Sequence, residues 1–155
     1  MTNTPAAVDY AAVEQEIRRE LAQSRDRSTA MKRVVEILEA RVPAYNWVGI
    51  YELFGNELVL GPFVGKPSPH THIPVGRGIC GAAAADKATI IVDDVNEDPR
   101  YLACSLETRS EIVVPILRGA DVLGEIDIDS DRVAAFGHED QRMLEAVAAL
   151  LAEKI

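Results

Sequence analysis

Two pairs of strand-like segments, each joined by a short turn, constrain the fold of this chain more than any other feature of its sequence. Residues Trp47–Leu53 and Glu57–Val64 flank a turn that contains Gly55, and this arrangement predicts a β-hairpin. Residues Glu111–Leu117 and Val122–Asp129 flank a second glycine-containing turn. Because a hairpin pairs its strands in opposite directions, the sequence predicts an antiparallel sheet.

The spacing of apolar residues predicts helices at both ends of the chain. Apolar side chains recur at three- and four-residue steps over Ala6–Arg25, in a second run that Ser28 caps and Pro43 ends, and over His138–Ala152. A small helix is predicted over Ala82–Ala85. Helices gathered at the chain ends indicate an α+β fold in which they cover one face of the sheet.

Two loops and one short strand separate the hairpins. Residues 66–78 contain several prolines and glycines, which predicts a loop, and Thr89–Val92 is a short apolar strand. Residues 93–110 form a long polar stretch that contains Pro99 and Cys104. A loop of this length within a small domain is usually functional or mobile.

Composition limits the classes of partner. A chain of 155 residues corresponds to a single domain, and its 16 basic against 25 acidic residues leave a net charge of −9. Such a surface repels phosphate backbones and anionic lipids, so we expect no nucleic-acid or membrane partner. The first residues do not resemble a signal peptide and no stretch is apolar enough to span a membrane, which favours a cytoplasmic protein.

The two cysteines, Cys80 and Cys104, have two interpretations. Each is a small buried apolar residue, or the pair forms a transient, chemically active disulfide, since the cytoplasm would keep a structural one open. Cys80 lies within Gly76–Gly81, which has the G-x-G-x-x-G spacing of dinucleotide folds but does not follow a buried parallel strand. Either the helix start and Arg77 stabilise a Cys80 thiolate, or Cys80 packs inward.

Strict alternation over residues 125–129 predicts that three carboxylates lie on one face of a strand. These are Glu125, Asp127 and Asp129, with isoleucines between them on the other face. If this face is solvated, the three carboxylates cost little free energy. If the face lines a pocket instead, they need a cation, which is a metal, an arginine or a ligand ammonium group.

His70 and His72 suggest a metal site to which Cys80, Cys104 or the acidic strand would add ligands. Their spacing is not that of a structural zinc site, and histidines beside a proline are usually exposed. We therefore predict no metal site and no cofactor.

Six blocks of sequence together resemble the free methionine-(R)-sulfoxide reductases, which are single GAF domains. The blocks, in chain order, are Trp47–Tyr51, Leu60–Pro67, Ile73–Gly81, Ala103–Cys104, Ser110–Pro115 and Asp127–Ser130. The resemblance implies a GAF fold, with helices on one face of an antiparallel sheet and a ligand cavity on the other. It also implies a homodimer formed through the terminal helices, and a division into an N-terminal helix, 1–27, and a GAF core, 28–155.

The resemblance further implies roles for particular residues. Cys104 corresponds to the catalytic cysteine of the family and Cys80 to a second cysteine that can pair with it. Glu111, Asp127 and Asp129 correspond to its substrate-binding carboxylates, and Trp47 and Tyr51 lie in the strand that contributes an aromatic wall.

The chain departs from the family at two places. A third cysteine, often the main resolving thiol, is usual where this chain has residues 69–72, and an apolar residue is usual at Glu125. The first departure bears on recycling of the enzyme and less on the reduction step.

The implied reaction is attack of the Cys104 thiolate on the sulfoxide sulfur, release of methionine and a sulfenic acid on Cys104. Cys80 would then form a disulfide with Cys104, which thioredoxin or another dithiol reopens. The acidic row would select the free amino acid by its α-ammonium group. Two alternatives stay open: a non-catalytic GAF sensor that binds a small ligand, and a metal-binding module built on His70 and His72.

Overall fold

Four α-helices and six β-strands form the described part of the chain, residues 7–103 and 105–155 of a computed structural model. In chain order they are α1 (Tyr10–Gln23), α2 (Arg27–Arg41), β1 (Trp47–Phe54), β2 (Glu57–Val64), β3 (His72–Pro74), α3 (Gly78–Asp86), β4 (Ile90–Val92), β5 (Ser110–Arg118), β6 (Asp121–Ser130) and α4 (His138–Ala152). One turn of 3₁₀ helix, Val95–Glu97, follows β4. Within these residues, no helix has the length and apolar character needed to cross a membrane.

The six strands form one antiparallel sheet in the order β3-β2-β1-β6-β5-β4. Both predicted hairpins, β1–β2 and β5–β6, are present, and β6 pairs with β1 to join them. The predicted α+β class with an antiparallel sheet is therefore confirmed.

The cap of the second helix lies two residues earlier than predicted. Ser28 lies inside α2, and the cap is Asp26, whose carboxylate accepts hydrogen bonds from the Thr29 amide at 2.8 Å and the Thr29 hydroxyl at 2.9 Å. Aspartate and serine both cap helices well. The position of the cap therefore depends on the path by which the chain enters the helix and not on residue propensity.

The segment 66–78 is not a loop throughout, because residues 72–74 form β3 at the edge of the sheet. A three-residue strand that contains a histidine and a proline has too little apolar alternation to be recognised from sequence. The small helix α3 also begins at Gly78 and not at Ala82.

Three helices, α1, α2 and α4, cover one face of the sheet, as predicted. Alternate residues of β1, β5 and β6 point into this apolar layer: Val48, Ile50, Ile112, Val114, Ile116, Ile126 and Ile128. These sheet residues are at most 1% exposed, so this layer is the main core of the domain.

The opposite face carries α3 and the loops around it. Ile79 and Ala83 of α3 pack with Leu58, Ile73 and other residues of the sheet in a second, smaller apolar cluster. The helix comes very close to β3, since a Cβ atom at Gly81 would lie 2.7 Å from the Pro74 carbonyl oxygen. The glycine spacing at 76–81 therefore serves a turn and a close helix approach next to an antiparallel strand.

Candidate active site

The acidic row of β6 lies under α3. Glu125, Asp127 and Asp129 all face away from the main core, whereas Ile126 and Ile128 point into it, as the alternation predicts. The three acidic residues are 0%, 3% and 6% exposed. The interpretation of this row as a solvated sheet face is therefore wrong.

A fourth carboxyl group joins the row through the register of the sheet. Glu111 on β5 pairs with Asp129 on β6, and Asp129 pairs on its other side with Trp47 of β1. Glu111 is 6% exposed. Three neighbouring strands thus bring together four acidic residues and an aromatic residue that the sequence separates by up to 82 positions (129 minus 47).

Burial and mutual repulsion keep protons on this cluster. Burial raises the pKa of Glu111 well above its ordinary value, and the charges of Asp127 and Asp129 raise it further. Burial also raises the pKa of Asp127, and hydrogen bonds from Glu111 and Cys80 offset only part of this rise. The acidic neighbours of Glu111 raise its pKa, whereas the hydrogen bonds to Asp127 lower the pKa of that residue, so Glu111 is the better proton donor of the two.

Of the four acidic residues, Glu125 has the fewest hydrogen-bond partners among the described residues. Both of its carboxylate oxygens are buried without a hydrogen-bond partner among the described residues, as is one oxygen each of Asp127 and Asp129. Burial and then the charge of Asp127 raise the pKa of Glu125 well above its ordinary value. The Cys80 thiol offsets part of this rise, although it is not placed for a regular hydrogen bond.

Cys80 lies in the first turn of α3 and packs inward, with 6% of its surface exposed. Burial raises the pKa of its thiol well above the ordinary value, and the charges of Asp127, Glu125 and Glu111 raise it further. Arg77 is exposed to solvent. Of the two interpretations left open for Cys80, the structure therefore favours inward packing beside carboxyl groups over a thiolate stabilised by the helix start.

A small cavity lies beside Cys80. Its volume is about 20 Å³, enough for one water molecule or one ion but not for an amino acid. Its walls bring β1, β3, β5, β6, α3 and two loops together: Tyr51, His70, Ile73, Ile79, Cys80, Leu102, Glu111 and Asp127.

A larger cavity of about 220 Å³ opens at the other end of the acidic row. This volume is below the roughly 300–1,000 Å³ of sites for drug-sized ligands, and suits a molecule the size of one amino acid. Trp47 and Asp129 form part of its floor, and the loop residues Lys66, Ser68 and Ser105 form part of its wall.

Trp47 is held flat over the sheet by glycines. A Cβ atom at Gly49 would overlap the indole ring, and one at Gly65 would lie 2.6 Å from it. The indole Nε1 donates a hydrogen bond to the Lys66 carbonyl oxygen at 2.9 Å, and the ring stacks on Phe63 with centroids 5.8 Å apart. Trp47 thus presents a fixed aromatic surface beside Asp129.

Tyr51 and His70 connect the sheet to the long loop. The Tyr51 hydroxyl donates to the His70 carbonyl oxygen at 2.8 Å. The His70 ring lies with Nε2 3.2 Å from the Ala103 carbonyl oxygen, so Nε2 carries the proton. Ala103 directly precedes Cys104 in the sequence.

Cys104 itself lies outside the described residues. Its neighbours Leu102 and Ser105 line the small and the large cavity respectively. Glu107, farther along the same loop, forms an exposed ion pair of 2.9 Å with Lys66 at the larger cavity. This loop therefore borders both cavities.

The metal set suggested by the histidines does not assemble among the described residues. His72 is exposed and its ring nitrogen contacts the Thr71 hydroxyl at 3.1 Å, whereas His70 turns toward Ala103. A different group comes together: one ligand atom each of Cys80, Glu111 and Asp127, all within 4.8 Å of one another.

Several cavity residues were not predicted as site residues. They are Asn46, Lys66, Ser68, His70, Thr108 and Ser130. All except Ser130 lie in loops or just outside strands, where periodicity carries no information. The sequence signals for some of them were the density of proline and glycine in residues 66–78 and the length of the polar stretch 93–110.

A family model for the GAF domain matches residues 26–155. In the E. coli protein "free methionine-R-sulfoxide reductase", 40% of 119 aligned residues are identical, which covers 77% of this chain and 71% of that protein. A Saccharomyces cerevisiae protein of the same name is 46% identical over 110 residues, which covers 68% of this chain and 61% of the yeast protein. This chain thus spans less than two thirds of the yeast relative's length.

A solved structure agrees with these relatives. The free methionine-R-sulfoxide reductase of Neisseria meningitidis, in complex with its substrate, superposes with a TM-score of 0.91 at 34% identity, over 99% of this chain and 92% of that one. The family model and the fold define a GAF domain. Within that class, the chain belongs to the free methionine-R-sulfoxide reductase family.

Proposed function

We propose that this protein reduces free L-methionine-(R)-sulfoxide to methionine, with Cys104 as the nucleophile and Cys80 as the resolving thiol. The observation that carries the proposal is the buried acidic row, whose unpartnered oxygens border cavities shared with the loop on either side of Cys104. The names of the relatives and the substrate complex of the Neisseria structure support the choice of substrate.

The acidic row supports recognition of a free amino acid. Asp129 has one buried oxygen without a partner in the described chain, and it lies in the wall of the larger cavity. A free α-ammonium group would supply the missing cation, whereas a neutral peptide nitrogen would leave the carboxylate unpaired. The site would therefore exclude methionine sulfoxide within a protein chain.

Trp47 supports recognition of the other end of the substrate. Its ring is fixed in the same cavity as Asp129. Contacts between sulfur and an aromatic ring contribute roughly 0.3–1.5 kcal/mol. The methyl and thioether groups would pack on this ring while the ammonium group binds the acidic end of the cavity.

The reduction step transfers one oxygen from substrate to enzyme. The Cys104 thiolate attacks the sulfoxide sulfur, the sulfur–oxygen bond breaks, and the net products are methionine and a Cys104 sulfenic acid. The leaving oxygen needs a proton. Glu111 is suited to supply it, because burial and its acidic neighbours raise its pKa and keep it protonated.

Recycling uses the second thiol. The Cys80 thiol condenses with the Cys104 sulfenic acid to give a disulfide and water, and an external dithiol such as thioredoxin then reduces the disulfide. A disulfide requires Cα atoms within about 7 Å, so this step requires Cys104 to come within that distance of Cys80.

A single-turnover assay without reductant tests the proposal. Reduced protein is mixed with free L-methionine-(R)-sulfoxide, and the methionine formed and the thiols lost are both counted. We expect about one methionine per chain and loss of both thiols, and no methionine from Cys104→Ser. Cys80→Ser should give one methionine but lose turnover driven by thioredoxin.

The same assay separates the alternatives. Binding of methionine sulfoxide without methionine formation would leave a sensor domain and contradict the reductase. Unchanged thioredoxin-driven turnover in Cys80→Ser would retain the reductase and reject Cys80 as the resolving thiol. Methionine sulfoxide within a short peptide is the matched substrate control and should not react.

A further inference from the structure

Three buried ligand groups meet beside the small cavity. The Cys80 sulfur and one carboxylate oxygen each of Glu111 and Asp127 lie within 4.8 Å of one another. They come from α3, β5 and β6, which pack together on the same face of the sheet. All three side chains are at least nine-tenths buried. The cavity of about 20 Å³ between them has room for one small ion or water molecule.

The charges around this group are not balanced by basic side chains. Among the residues that the structure describes, no lysine or arginine forms an ion pair with Glu111, Glu125, Asp127 or Asp129. One oxygen of Asp127 and both oxygens of Glu125 are buried without hydrogen-bond partners in this part of the chain. Buried carboxylates in this state must hold protons or bind a cation.

We propose that the reduced protein binds one thiophilic divalent cation, of which Zn²⁺ is the type, through Cys80, Glu111 and Asp127. A thiolate with two carboxylates suits Zn²⁺, whereas Mg²⁺ and Ca²⁺ prefer oxygen ligands alone. Ligand atoms on one tetrahedral Zn²⁺ lie about 3.5 Å apart, so side-chain movements of about 1 Å would close the group on the ion. The small cavity would hold a water molecule as fourth ligand.

Glu125 distinguishes this site from an ordinary substrate pocket. It is fully buried beside Asp127, and neither of its carboxyl oxygens has a hydrogen-bond partner among the described residues. A single ammonium group at the larger cavity could neutralise only one carboxylate, whereas a divalent ion offsets two of the three negative charges of the ligand set. Glu125 is therefore a polar neighbour of the ion and not one of its three ligands.

Binding of the ion displaces protons. The Cys80 thiol must lose its proton to bind, and so must any carboxyl group of the ligand set that is neutral. The titratable groups that face the ion are Tyr51 on β1, His70 on the loop, Glu111 on β5, Cys80 on α3, and Glu125, Asp127 and Asp129 on β6. Affinity should therefore rise with pH, by about tenfold per pH unit for each proton displaced.

The bound ion would oppose the proposed reductase reaction, and this consequence rests on the proposed function. It would hold Cys80 as a metal thiolate and so block formation of the disulfide. It would also occupy Glu111, the group proposed to protonate the leaving oxygen. Zn²⁺ should therefore inhibit turnover, and oxidation of Cys80 should abolish metal binding.

Titration with Co²⁺, a coloured substitute for Zn²⁺, tests the site without relying on activity. The Cys104→Ser variant is used, because it leaves Cys80 as the only thiol in the chain. We expect one equivalent to bind with a thiolate-to-cobalt charge-transfer band, and Zn²⁺ to displace it. Asp127→Asn should weaken binding about tenfold or more, and the exposed Asp121→Asn should leave it unchanged.

Two outcomes would overturn the site. One is the absence of a stoichiometric charge-transfer band in Cys104→Ser, and the other is equal affinity in Asp127→Asn and Asp121→Asn. Cys80→Ser should lose the band, and if that variant fails to fold, the Asp127→Asn result decides. The single-turnover assay with a metal chelator present is independent, so failure of the metal site would not affect the proposed reductase.

Discussion

Buried carboxyl side chains lie on both sides of the same sheet, and their environments differ. On the helical face, Asp140 is 4% exposed and both of its oxygens have partners. One accepts from the Tyr45 hydroxyl at 2.7 Å and the other from the Gly137 amide at 2.9 Å. On the other face, Glu125, Asp127 and Asp129 are as buried but keep unpartnered oxygens within the described chain.

The difference separates a structural role from a functional one. Asp140 closes the first turn of α4 and anchors it to Tyr45, so its burial is compensated within the fold. Within the described residues, the unpartnered oxygens of the acidic row are left to protons or to a ligand from outside. A protein tolerates such a row at a cost in stability, which a bound cation recovers.

The largest expected effect is on activity. Asp129→Asn removes a charge that would bind the substrate ammonium in the larger cavity. We therefore expect kcat/KM for methionine sulfoxide to fall roughly a hundredfold, which corresponds to a loss of about 3 kcal/mol of transition-state stabilisation. The free energy of unfolding should stay constant or rise, because the variant removes a buried charge. A loss of activity that merely follows a loss of folded protein would remove the distinction between the two faces.

Asp140→Ala should destabilise the fold without touching the site. It leaves the Tyr45 hydroxyl and the Gly137 amide without their partner and removes the cap of α4, at an expected cost of about 2–4 kcal/mol in unfolding free energy. Chemical denaturation measures this cost. Glu139→Ala, in the same helical turn but exposed, is the matched control and should change stability by less than about 0.5 kcal/mol.

Glu125→Leu should change the free energy of unfolding in the opposite direction to Asp140→Ala. Replacing a buried, unpartnered carboxyl group with an apolar side chain of similar size should stabilise the protein by about 1–3 kcal/mol in metal-free buffer. The exposed Glu57→Leu is the control and should be neutral. If Glu125→Leu were destabilising, Glu125 would have a partner in solution, and the contrast with Asp140 would fail.

The smallest expected effect is a pH dependence of that stabilisation. Burial raises the pKa of Glu125 in the folded state. At pH values between the unfolded and the folded pKa, the folded protein therefore binds more protons than the unfolded chain. Stability that is present below the unfolded pKa of about 4.3 is then lost as pH rises toward the folded pKa.

The stabilisation by Glu125→Leu should therefore be larger at about pH 8 than at about pH 5 in chemical denaturation. Glu57→Leu serves again as the reference, because it replaces an exposed carboxyl group with the same apolar side chain. An advantage of Glu125→Leu that is independent of pH would mean that Glu125 ionises equally easily in the folded and unfolded protein.

Part of the fold follows from local patterns. The hairpins β1–β2 and β5–β6 and the helix α4 were predictable because each has a strong period and clear turn or end signals. Strand β3 was not, because three residues at a sheet edge carry no period. The start of α2 was placed at Ser28 and not at Asp26, since neighbouring residues of equal capping propensity cannot be ranked without the chain entry.

Local patterns likewise predicted one part of the candidate site and not the rest. The alternation of residues 125–129 predicted that three carboxylates share a face, and the sheet places them so. It left open whether that face is wet, and the helix start at Cys80 suggested a thiolate that the structure does not favour. The metal-ligand group at Cys80, Glu111 and Asp127 combines three elements that no spacing relates.

The sequence by itself determined which residues alternate, which segments pair as hairpins, and which face of β6 is acidic, because these depend on contacts between near neighbours in the chain. Only the tertiary structure decided the burial of that face, the proton balance of its carboxyl groups and the state of Cys80. These depend on α3 and the loops closing over the sheet. Desolvation by distant segments, and not local spacing, therefore makes the acidic row the candidate site.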